Sequence, residues 1–318
     1  MRTYLDSLVW DGVPRLETWL QTYLTVPDSE YARAVGPRWL ISAVARIYEP
    51  GCRADHVLIL EGAQGEQKST AVRVLAVNPS WSTGRLSQLS NKDAMMEVAG
   101  VWLVEIAELD ALSKAKTSAI KQFLTNPNDR FRPPYGKYVT RQSRQCVFAG
   151  TINPPVGGYL TDITGNRRYW PVRCLDRIDL DALKRDRDML WAEAVVQFKA
   201  GAPWWLETPE LEALATAEQE ARVIADPWEP MIRKLLDKRD SISVTEALEE
   251  LGLFGAQQTQ IAMNRVAKIL ARLGLTQHRP RAPDGRRERR YYREPINGSL
   301  TNPDQPDQPR VYIGHTRL

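Results

Sequence analysis

The chain has 318 residues, of which 43% are hydrophobic and 26% are charged, and its formal net charge is +4. This length suffices for one large domain and one or two small ones, and the apolar runs are far shorter than the roughly 20 residues of a membrane-spanning helix. Three isolated cysteines have neither metal-ligand spacing nor the even count of a disulfide framework. We therefore expect a reduced, cytoplasmic protein with no membrane partner.

The first 50 residues predict helices. Apolar side chains recur at spacings of three and four, as at Leu16, Trp19, Leu20 and Leu24. We interpret residues 1–50 as a helical collar that precedes the first strand, and we assign no chemistry to it.

Residues 56–76, HVLILEGAQGEQKSTAVRVLA, predict a strand, a phosphate-binding loop and a helix. The run 57–60 is short and apolar, as a central strand of a parallel sheet needs to be. Gly62, Gly65, Lys68 and Ser69 then fall close to the spacing G-x-x-x-x-G-K-[ST], in which loop amides and a helix N-terminus surround the phosphates of a nucleotide. Lys68 would reach the outer phosphates of ATP, and Ser69 would hold Mg²⁺.

One position departs from this pattern. Gln67 stands where glycine is usual, and glycine lets the backbone approach phosphate without a Cβ in the way. A surface loop followed by an ordinary helix is the competing interpretation of the segment alone. The predicted nucleotide-binding residues are Gly62, Ala63, Gln64, Gly65, Glu66, Gln67, Lys68, Ser69 and Thr70.

A second strand is predicted over residues 101–104, with Glu105 at its C-terminal end and Glu108 three residues later. Residues at the carboxyl ends of parallel strands face the ligand crevice, so both acids are expected opposite the phosphate-binding loop. One carboxylate, which we expect to be Glu105, can orient the Mg²⁺ shell while the other polarises the attacking water. The pattern leaves open which acid is the catalytic base, and a pair of solvated glutamates at a helix start is the alternative.

Residues 130–144, RFRPPYGKYVTRQSR, predict a hairpin in which basic and aromatic residues alternate. Lys137 lies near the turn, in a setting that suits contact with the phosphate backbone and stacked bases of DNA. A solvated basic loop is the competing interpretation. The expected DNA contacts are Arg132, Tyr135, Lys137, Tyr138, Arg141 and Arg144.

Two further positions concern catalysis. A third strand over residues 146–150 is followed by TINP, where the side-chain amide of Asn153 would hydrogen-bond the γ-phosphate or the attacking water. Arg167 and Arg168 directly precede an aromatic strand, and one of them is expected to act as an arginine finger on the nucleotide of a neighbouring subunit. An ion pair within the chain is the alternative for at least one of the two.

Beyond Pro227 and Pro230, the sequence predicts a helix, a strand, two helices and a hairpin with a basic wing, which is the order of a winged helix. Seven arginines and two acids give residues 279–293 a local charge of +5. A protein-contact module is the alternative, and residues 297–318 are expected to be disordered. The expected DNA contacts in this unit are Arg265, Lys268, Arg272, Arg286, Arg287, Arg289 and Arg290.

Six stretches in this order resemble the ATPase domain of the virulence-associated E family, whose phage-, plasmid- and island-borne members are related to superfamily 3 helicases. They are WDGVPRLETWL, ARIYEPGCRADHVLILEGAQGEQKST, VWLVEIAEL, FRPPYGKYV, FAGTINPP and GNRRYWPV, and they cover roughly residues 8 to 175. The resemblance implies an AAA+-like P-loop core that assembles as a ring, usually a hexamer, with ATP at the subunit interfaces and a hairpin in the central pore.

The resemblance also implies roles for single residues. Lys68 and Ser69 take the phosphate and magnesium roles, and Asn153 becomes the sensor. The remaining matches give the acidic strand Glu105 and Glu108, the finger Arg167 or Arg168, and the pore residue Lys137. Larger members of the family carry a primase domain ahead of the matching segment, so priming is expected to need a separate primase or polymerase, or a part of the natural sequence outside these residues.

Together these observations predict an α/β chain with a helical collar (1–50), an AAA+-like ATPase core (51–226), a winged-helix-like DNA-binding domain (227–296) and a disordered tail (297–318). The leading hypothesis is a ring-forming, Mg²⁺- and ATP-dependent DNA helicase or translocase that serves replication of a mobile element. Single-stranded DNA would occupy the pore, and the C-terminal unit would hold duplex or origin DNA. A nucleotide-switched initiator or regulator that does not unwind DNA, and a nucleic-acid-sensing defence ATPase, are the alternatives.

Overall fold

The computed structural model describes residues 1–84, 92–107, 114–133, 137–155, 158–160, 166–224, 226–279 and 289–293. The chain divides into two compact units, Met1–Ile224 and Ala225–Leu318. Four of the predicted site residues, Glu108, Tyr135, Arg286 and Arg287, lie outside the described residues.

The first unit contains eight helices and seven strands within the described ranges. The helices are α1 Arg2–Ser7, α2 Trp19–Leu24, α3 Glu30–Tyr48, α4 Lys68–Leu75, α5 Lys92–Glu97, α6 Lys114–Thr125, α7 Leu180–Lys199 and α8 Pro209–Glu220. The strands are β1 Val57–Glu61, β2 Ser82–Thr83, β3 Leu103–Ala107, β4 Asn128–Phe131, β5 Thr140–Ser143, β6 Val147–Ile152 and β7 Tyr169–Arg173.

Five of these strands form one parallel sheet in the order β2-β3-β6-β1-β7. All five residues of β1 are buried, and they alternate between two apolar clusters: Leu58 and Leu60 contribute to one, Val57 and Ile59 to the other. A strand covered on both faces needs an uninterrupted apolar sequence, which is what this segment has. The predicted α/β architecture with a parallel sheet is confirmed, and the carboxyl ends of β1, β3 and β6 meet at one edge of the sheet.

Among the helices of residues 1–50, α3 packs directly on this sheet. The indole N–H of Trp39 on α3 donates a hydrogen bond to the Phe148 carbonyl of β6 at 2.9 Å, and the Trp102 indole donates to the Ala43 carbonyl at 2.9 Å. Both indoles are buried, so these bonds satisfy N–H groups that would destabilise the fold if they were buried without a partner. The segment interpreted as a helical collar belongs to the first compact unit.

Strands β4 and β5 form the predicted hairpin, with Arg130 opposite Arg141 in an antiparallel pair. The structure contradicts the assignment of Arg144 as a DNA contact. Its side chain is 1% exposed, and its Nε and Nη2 atoms each donate to Asp129 at 2.7 Å, while the guanidinium lies 4.1 Å from the ring centre of Phe123. Arg144 therefore anchors the base of the hairpin and offers no charge to DNA.

The second unit has its own core. Its elements are α9 Glu229–Leu236, β8 Ser241–Ser243, α10 Val244–Glu250, α11 Gln260–Arg272, β9 Leu275–His278 and β10 Arg290–Arg293. The strands form an antiparallel sheet in the order β8-β10-β9. Helix α11 buries Val266 and Leu270 against this core and leaves Asn264 and Lys268 exposed.

Across the described parts of both units, no helix combines the length and apolar character needed to cross a membrane.

Candidate nucleotide site

A cavity of about 550 Å³ opens at the edge of the sheet where β1, β3 and β6 end. The loop 62–67 after β1, the first turn of α4 and the end of β6 all contribute to its wall. The lining residues are Gln64, Gly65, Gln67, Lys68, Ser69, Thr70, Ala107, Thr151, Ile152 and Asn153. The structure thus brings most of the predicted nucleotide-binding residues together with Asn153, which is far from them in sequence.

Two glycines shape the loop for different reasons. A Cβ on Gly62 would collide with the carboxylate of Glu66, which folds over it, and would lie 3.2 Å from the Cys174 carbonyl oxygen. Gly65 has open space around it but a φ of +94°, which side chains rarely adopt. Glycine at 65 therefore suits the backbone conformation, and glycine at 62 leaves the room that the Glu66 carboxylate occupies.

Gln67 has the conformation that the usual glycine would have. Its φ of 66° and ψ of 23° are left-handed, and it precedes the first residue of α4. A side chain in this region is unfavourable by about 1–2 kcal/mol compared with glycine. The departure from the sequence pattern therefore places a side chain at a backbone conformation that glycine adopts most readily.

Lys68 is the centre of the site. Its side chain is buried, and its Nζ atom donates hydrogen bonds to the carbonyl oxygens of Gly62 at 2.8 Å and Ala63 at 2.7 Å and to Oδ1 of Asn153 at 3.2 Å. The ammonium group is thus held inside the loop that follows β1, beside the end of β6. A phosphate entering the cavity would meet this charge directly.

The first turn of α4 adds hydrogen-bond donors. The amide of Ala71 is the first to bond within the helix, to the Gln67 carbonyl at 2.9 Å, so the amides of Lys68, Ser69 and Thr70 lie in the part of a helix that has no intrahelical acceptor. Such amides and the helix dipole favour an anion at this end. Ser69 and Thr70 also line the cavity.

Glu105 is not at the end of its strand. The prediction placed the strand over 101–104, but β3 runs Leu103–Ala107, and Glu105 is a buried residue within it. The strand continues because Ile106 is buried and Ala107 pairs in register with Thr151 of β6. The prediction ended the strand at its first charged residue, and this rule fails when the strand contains a buried glutamate.

The carboxylate of Glu105 nevertheless lies next to the cavity. Its Oε1 atom accepts a hydrogen bond from the Thr151 hydroxyl at 2.7 Å, and Thr151 is part of the cavity wall. Glu105 is therefore one hydrogen bond behind the surface that a nucleotide would touch.

The described residues include no group of three or more His, Cys, Asp or Glu side chains able to hold a metal ion by themselves. Mg²⁺ does not need such a group, because it keeps several waters and binds through one or two protein groups together with the phosphates of its nucleotide. The Ser69 hydroxyl on the cavity wall and the nearby Glu105 carboxylate are the groups that would hold it.

The structure distinguishes the two candidate arginines. Both belong to the short helical turn Asn166–Arg168 before β7, at the edge of the sheet opposite the cavity. Arg168 is mostly buried, with Nε 3.3 Å from Oδ2 of Asp55, so the ion pair considered for one of them is present. Arg167 is exposed, and among the described residues it has no hydrogen bond or ion pair.

A second cavity, of about 520 Å³, lies at this opposite edge. Asp55, His56, Arg167 and Arg168 line it together with Trp205, which is 48% exposed. The imidazole of His56 stacks on the buried Trp170 ring, with ring centres 4.1 Å apart. Burial lowers the pKa of His56 to about 4, although the neighbouring Asp55 carboxylate acts in the other direction.

A buried cluster that no sequence motif predicts lies at the start of the loop. The carboxylate of Glu61, the last residue of β1, accepts hydrogen bonds from the Tyr159 hydroxyl at 2.7 Å and from Nη2 of Arg222 at 2.7 Å. Burial next to this carboxylate raises the pKa of Tyr159. The partners are 98 and 161 residues away from Glu61 along the chain, so no local pattern could have revealed them.

The residues predicted to contact DNA form two groups. On the hairpin of the first unit, Arg132, Lys137, Tyr138 and Arg141 are exposed. In the second unit Lys268 and Arg289 are exposed.

Three of the predicted arginines in the second unit have carboxylate partners. Arg265 donates to Asp226 at 2.7 and 2.8 Å, and Arg290 donates to Glu246 at 2.9 and 3.0 Å. Arg272 forms an ion pair with Glu229. These three arginines are neutralised within their own unit, so they add little to a free cationic surface.

Comparison with solved structures shows a related fold. An apo structure of the C-terminal region (305–718) of NrS-1 aligns with a TM-score of 0.51 and 12% identity, covering 92% of this chain and 78% of that one. A second apo structure of the NrS-1 C-terminal region, in an A form, has a TM-score of 0.49 and 13% identity over the same shares. No curated protein matches the chain.

The sequence itself carries the family assignment. The model of the virulence-associated protein E-like domain matches residues 5–224, which is nearly the whole first unit. The chain therefore belongs to the virulence-associated protein E-like family.

Proposed function

We propose that this protein is an ATPase that binds ATP in the cavity at the ends of β1, β3 and β6 and uses its hydrolysis to move along or unwind DNA. The observation that carries the proposal is the position of Lys68, whose ammonium group lies inside the loop beside Asn153 and the unpaired amides of α4. Positive charge and free amides at one point are what a triphosphate requires. Membership of the virulence-associated protein E-like family favours a role in replication of a phage or other mobile element.

The residues of the cavity have different roles in ATP hydrolysis. Lys68 and the α4 amides bind the β- and γ-phosphates, and Asn153 contacts the γ-phosphate or the attacking water. Ser69 and Glu105 would hold and orient Mg²⁺, which would supply positive charge to offset the charge developing on the phosphates. The hydrogen bond from Thr151 fixes the Glu105 carboxylate relative to the cavity wall.

The arginine finger is assigned to Arg167. Strand β1 has five residues, or about 16 Å at the usual rise, so Arg167 at the opposite edge of the sheet is too far from the cavity of its own chain. A neighbouring copy that places this edge on the cavity would complete the site. Repetition of such a head-to-tail contact gives a ring when the rotation between neighbours closes, and the family resemblance favours a ring of six subunits.

DNA contact is assigned to the exposed hairpin residues. Lys137 and Tyr138 lie shortly before β5, and Arg141 lies on β5, so charge and an aromatic side chain are presented together. Nucleotide-dependent movement of this hairpin would carry single-stranded DNA through the ring. The second unit, whose helix α11 exposes Asn264 and Lys268, would hold duplex DNA as a winged helix does.

ATP hydrolysis by wild-type protein and by Lys68→Ala and Glu105→Gln variants tests the nucleotide site. We expect Lys68→Ala to lose both nucleotide binding and hydrolysis, and Glu105→Gln to bind nucleotide but hydrolyse it at least 100-fold more slowly, on the order expected when one catalytic group is removed. Lys184→Ala, which changes an exposed lysine on α7, is the matched control. Unchanged hydrolysis by Lys68→Ala would refute the proposal.

The effect of single-stranded DNA on ATP hydrolysis tests whether the protein moves along DNA. We expect the DNA to stimulate hydrolysis, and we expect Lys137→Ala to abolish the stimulation while the basal rate stays unchanged. Displacement of a labelled strand from a forked duplex should require both ATP and Lys137. If DNA leaves the rate unchanged and no strand is displaced, the protein uses nucleotide as an assembly switch and does not unwind DNA.

A further inference from the structure

One non-glycine residue of the loop has a left-handed backbone conformation, which a residue with a Cβ disfavours. Gln67 is left-handed, and no side chain caps the N-terminus of α4 at this point. The amides that follow Gln67 face the cavity only if this residue keeps its conformation. Glycine would adopt it without strain, whereas for glutamine an interaction from outside the loop offsets a cost of about 1–2 kcal/mol.

Arg177 supplies that interaction. With its amide oxygen turned toward Arg177, Gln67 accepts hydrogen bonds from Nη2 at 2.6 Å and from Nε at 3.0 Å. Both donors belong to one edge of a planar, permanently charged group, so they fix the orientation of the amide as well as its position.

The segment that carries Arg177 is attached to the loop. The Cys174 amide donates to the Glu61 carbonyl at 2.8 Å, just before the loop begins, and the Ile178 amide donates to the Glu66 carbonyl at 3.3 Å. Arg177 therefore lies on a segment that follows the path of the loop from β1 to the residue before Gln67.

The same segment is attached to helix α2 on its other side. The Leu175 amide donates to the Thr25 carbonyl at 3.2 Å, and the Asp179 amide donates to the Tyr23 carbonyl at 3.2 Å. Tyr23 is buried in the main core of the first unit. Because its backbone is held from two directions, Arg177 can serve as a fixed point for Gln67.

We propose that Arg177 is a positioning residue for nucleotide phosphate: by holding the Gln67 side chain, it keeps the backbone at 67 left-handed and thereby aims Lys68 and the first amides of α4 at the phosphates. The pair Gln67–Arg177 replaces the glycine that the loop pattern usually has. This inference rests on the proposed ATP site and adds a residue that the loop pattern does not contain.

A double-mutant cycle on the whole chain tests the inference. The variants are Arg177→Ala, Gln67→Gly and the two combined, and the probe is a fluorescent ATP analogue titrated in the presence of Mg²⁺. We expect Arg177→Ala to weaken binding about tenfold, on the order of one lost charged hydrogen bond, and Gln67→Gly to bind within about twofold of wild type. The combined variant should bind like Gln67→Gly, because glycine needs no support from Arg177.

Two outcomes would overturn the inference. Equal loss from Arg177→Ala with glutamine and with glycine at 67 would show that Arg177 contacts the nucleotide directly. No loss in either background would show that Arg177 has no role in binding. Arg185→Ala, which removes an exposed arginine of α7, is the control and should bind like wild type.

Thermal unfolding of the same variants without nucleotide separates this inference from the proposed function. Arg177→Ala should lower Tm when residue 67 is glutamine and leave it unchanged when residue 67 is glycine, because the coupling exists in the free protein. If wild-type protein binds no ATP analogue, the proposed function fails, whatever the Tm values show. If wild type binds but the Tm effects are additive, the inference alone fails.

Discussion

Burial gives Arg144 a structural role in place of the DNA contact that its charge predicts. In the sequence Arg144 is the last of several basic residues on the hairpin, but in the structure it is enclosed by Asp129 and the Phe123 ring. We expect Arg144→Ala to lower the free energy of unfolding by about 3–5 kcal/mol, because it leaves the buried Asp129 carboxylate without its partner. Urea denaturation monitored by circular dichroism measures this change.

Arg141→Ala is the matched control for Arg144→Ala. Arg141 is exposed on β5, the strand that Arg144 directly follows, so its removal should change stability by no more than about 0.5 kcal/mol while weakening DNA binding. Equal destabilisation by the two substitutions would contradict the assignment of Arg144 as the buried anchor.

His56 makes stability depend on pH. Its pKa is about 4 in the folded protein, below the ordinary value of 6.5 that it has when unfolded. Between these values the unfolded chain binds the proton more tightly, so stability present above pH 6.5 is lost as the pH falls toward 4. Between pH 7 and pH 5 the loss should be about 2 kcal/mol.

His56→Phe tests this assignment, because phenylalanine retains a ring to stack on Trp170 and does not titrate. Urea denaturation of both proteins at pH 7 and pH 5 should show that the variant loses about 2 kcal/mol less than wild type over this range. His278→Asn, at an exposed position on β9, serves as the control. Identical pH dependence of wild type and His56→Phe would contradict the prediction.

At the scale of elements, the contact between α2 and α3 depends on a glycine inside a helix. A Cβ on Gly36 of α3 would lie 2.8 Å from the Trp19 indole nitrogen and 2.9 Å from a methyl carbon of Leu20, closer than atoms in a packed core approach. Helix propensity alone predicts that Gly36→Ala stabilises the protein by about 1 kcal/mol. Overpacking costs about 1–3 kcal/mol, so we expect net destabilisation.

Thermal unfolding of Gly36→Ala decides between the two effects. A fall in Tm would show that close approach of the two helices is the reason for glycine at this position. A rise in Tm would show that Trp19 and Leu20 adjust without loss, and that helix propensity is the larger effect.

Elements with a strong local pattern could be predicted from the sequence. Strand β1 is a short apolar run, and the loop after it has glycine and lysine at characteristic spacing, so the sheet and the position of Lys68 follow. Asn153 could be placed beside Lys68 because the carboxyl ends of parallel strands meet at one edge.

Features that depend on distant partners could not be predicted. A strand predicted from sequence ends at the first charged residue, because charged side chains are normally exposed. Glu105 nevertheless lies inside β3, where it accepts a hydrogen bond from Thr151, 46 residues later. In the same way, Arg167 and Arg168 are equivalent in the sequence, and only the Asp55 carboxylate distinguishes them.

At the scale of the whole molecule, the two halves of the proposed catalytic site lie at opposite edges of one sheet. Lys68 follows the carboxyl end of β1, and Arg167 precedes the amino end of the neighbouring parallel strand β7. A rigid sheet cannot bring these groups together, so catalysis should require contact between two copies of the chain. Neither Lys68→Ala nor Arg167→Ala protein should then hydrolyse ATP alone.

Mixing the two inactive variants tests this requirement. In rings assembled at random from equal amounts, an interface is complete only where a subunit with Lys68 meets a neighbour with Arg167, so activity should recover to about one quarter of wild type. Lys68→Ala mixed with a protein that carries both substitutions contains no intact Lys68 and should stay inactive. Activity in Arg167→Ala alone, or no recovery on mixing although assembly is intact by size-exclusion chromatography, would show that Arg167 is not supplied by the neighbouring subunit.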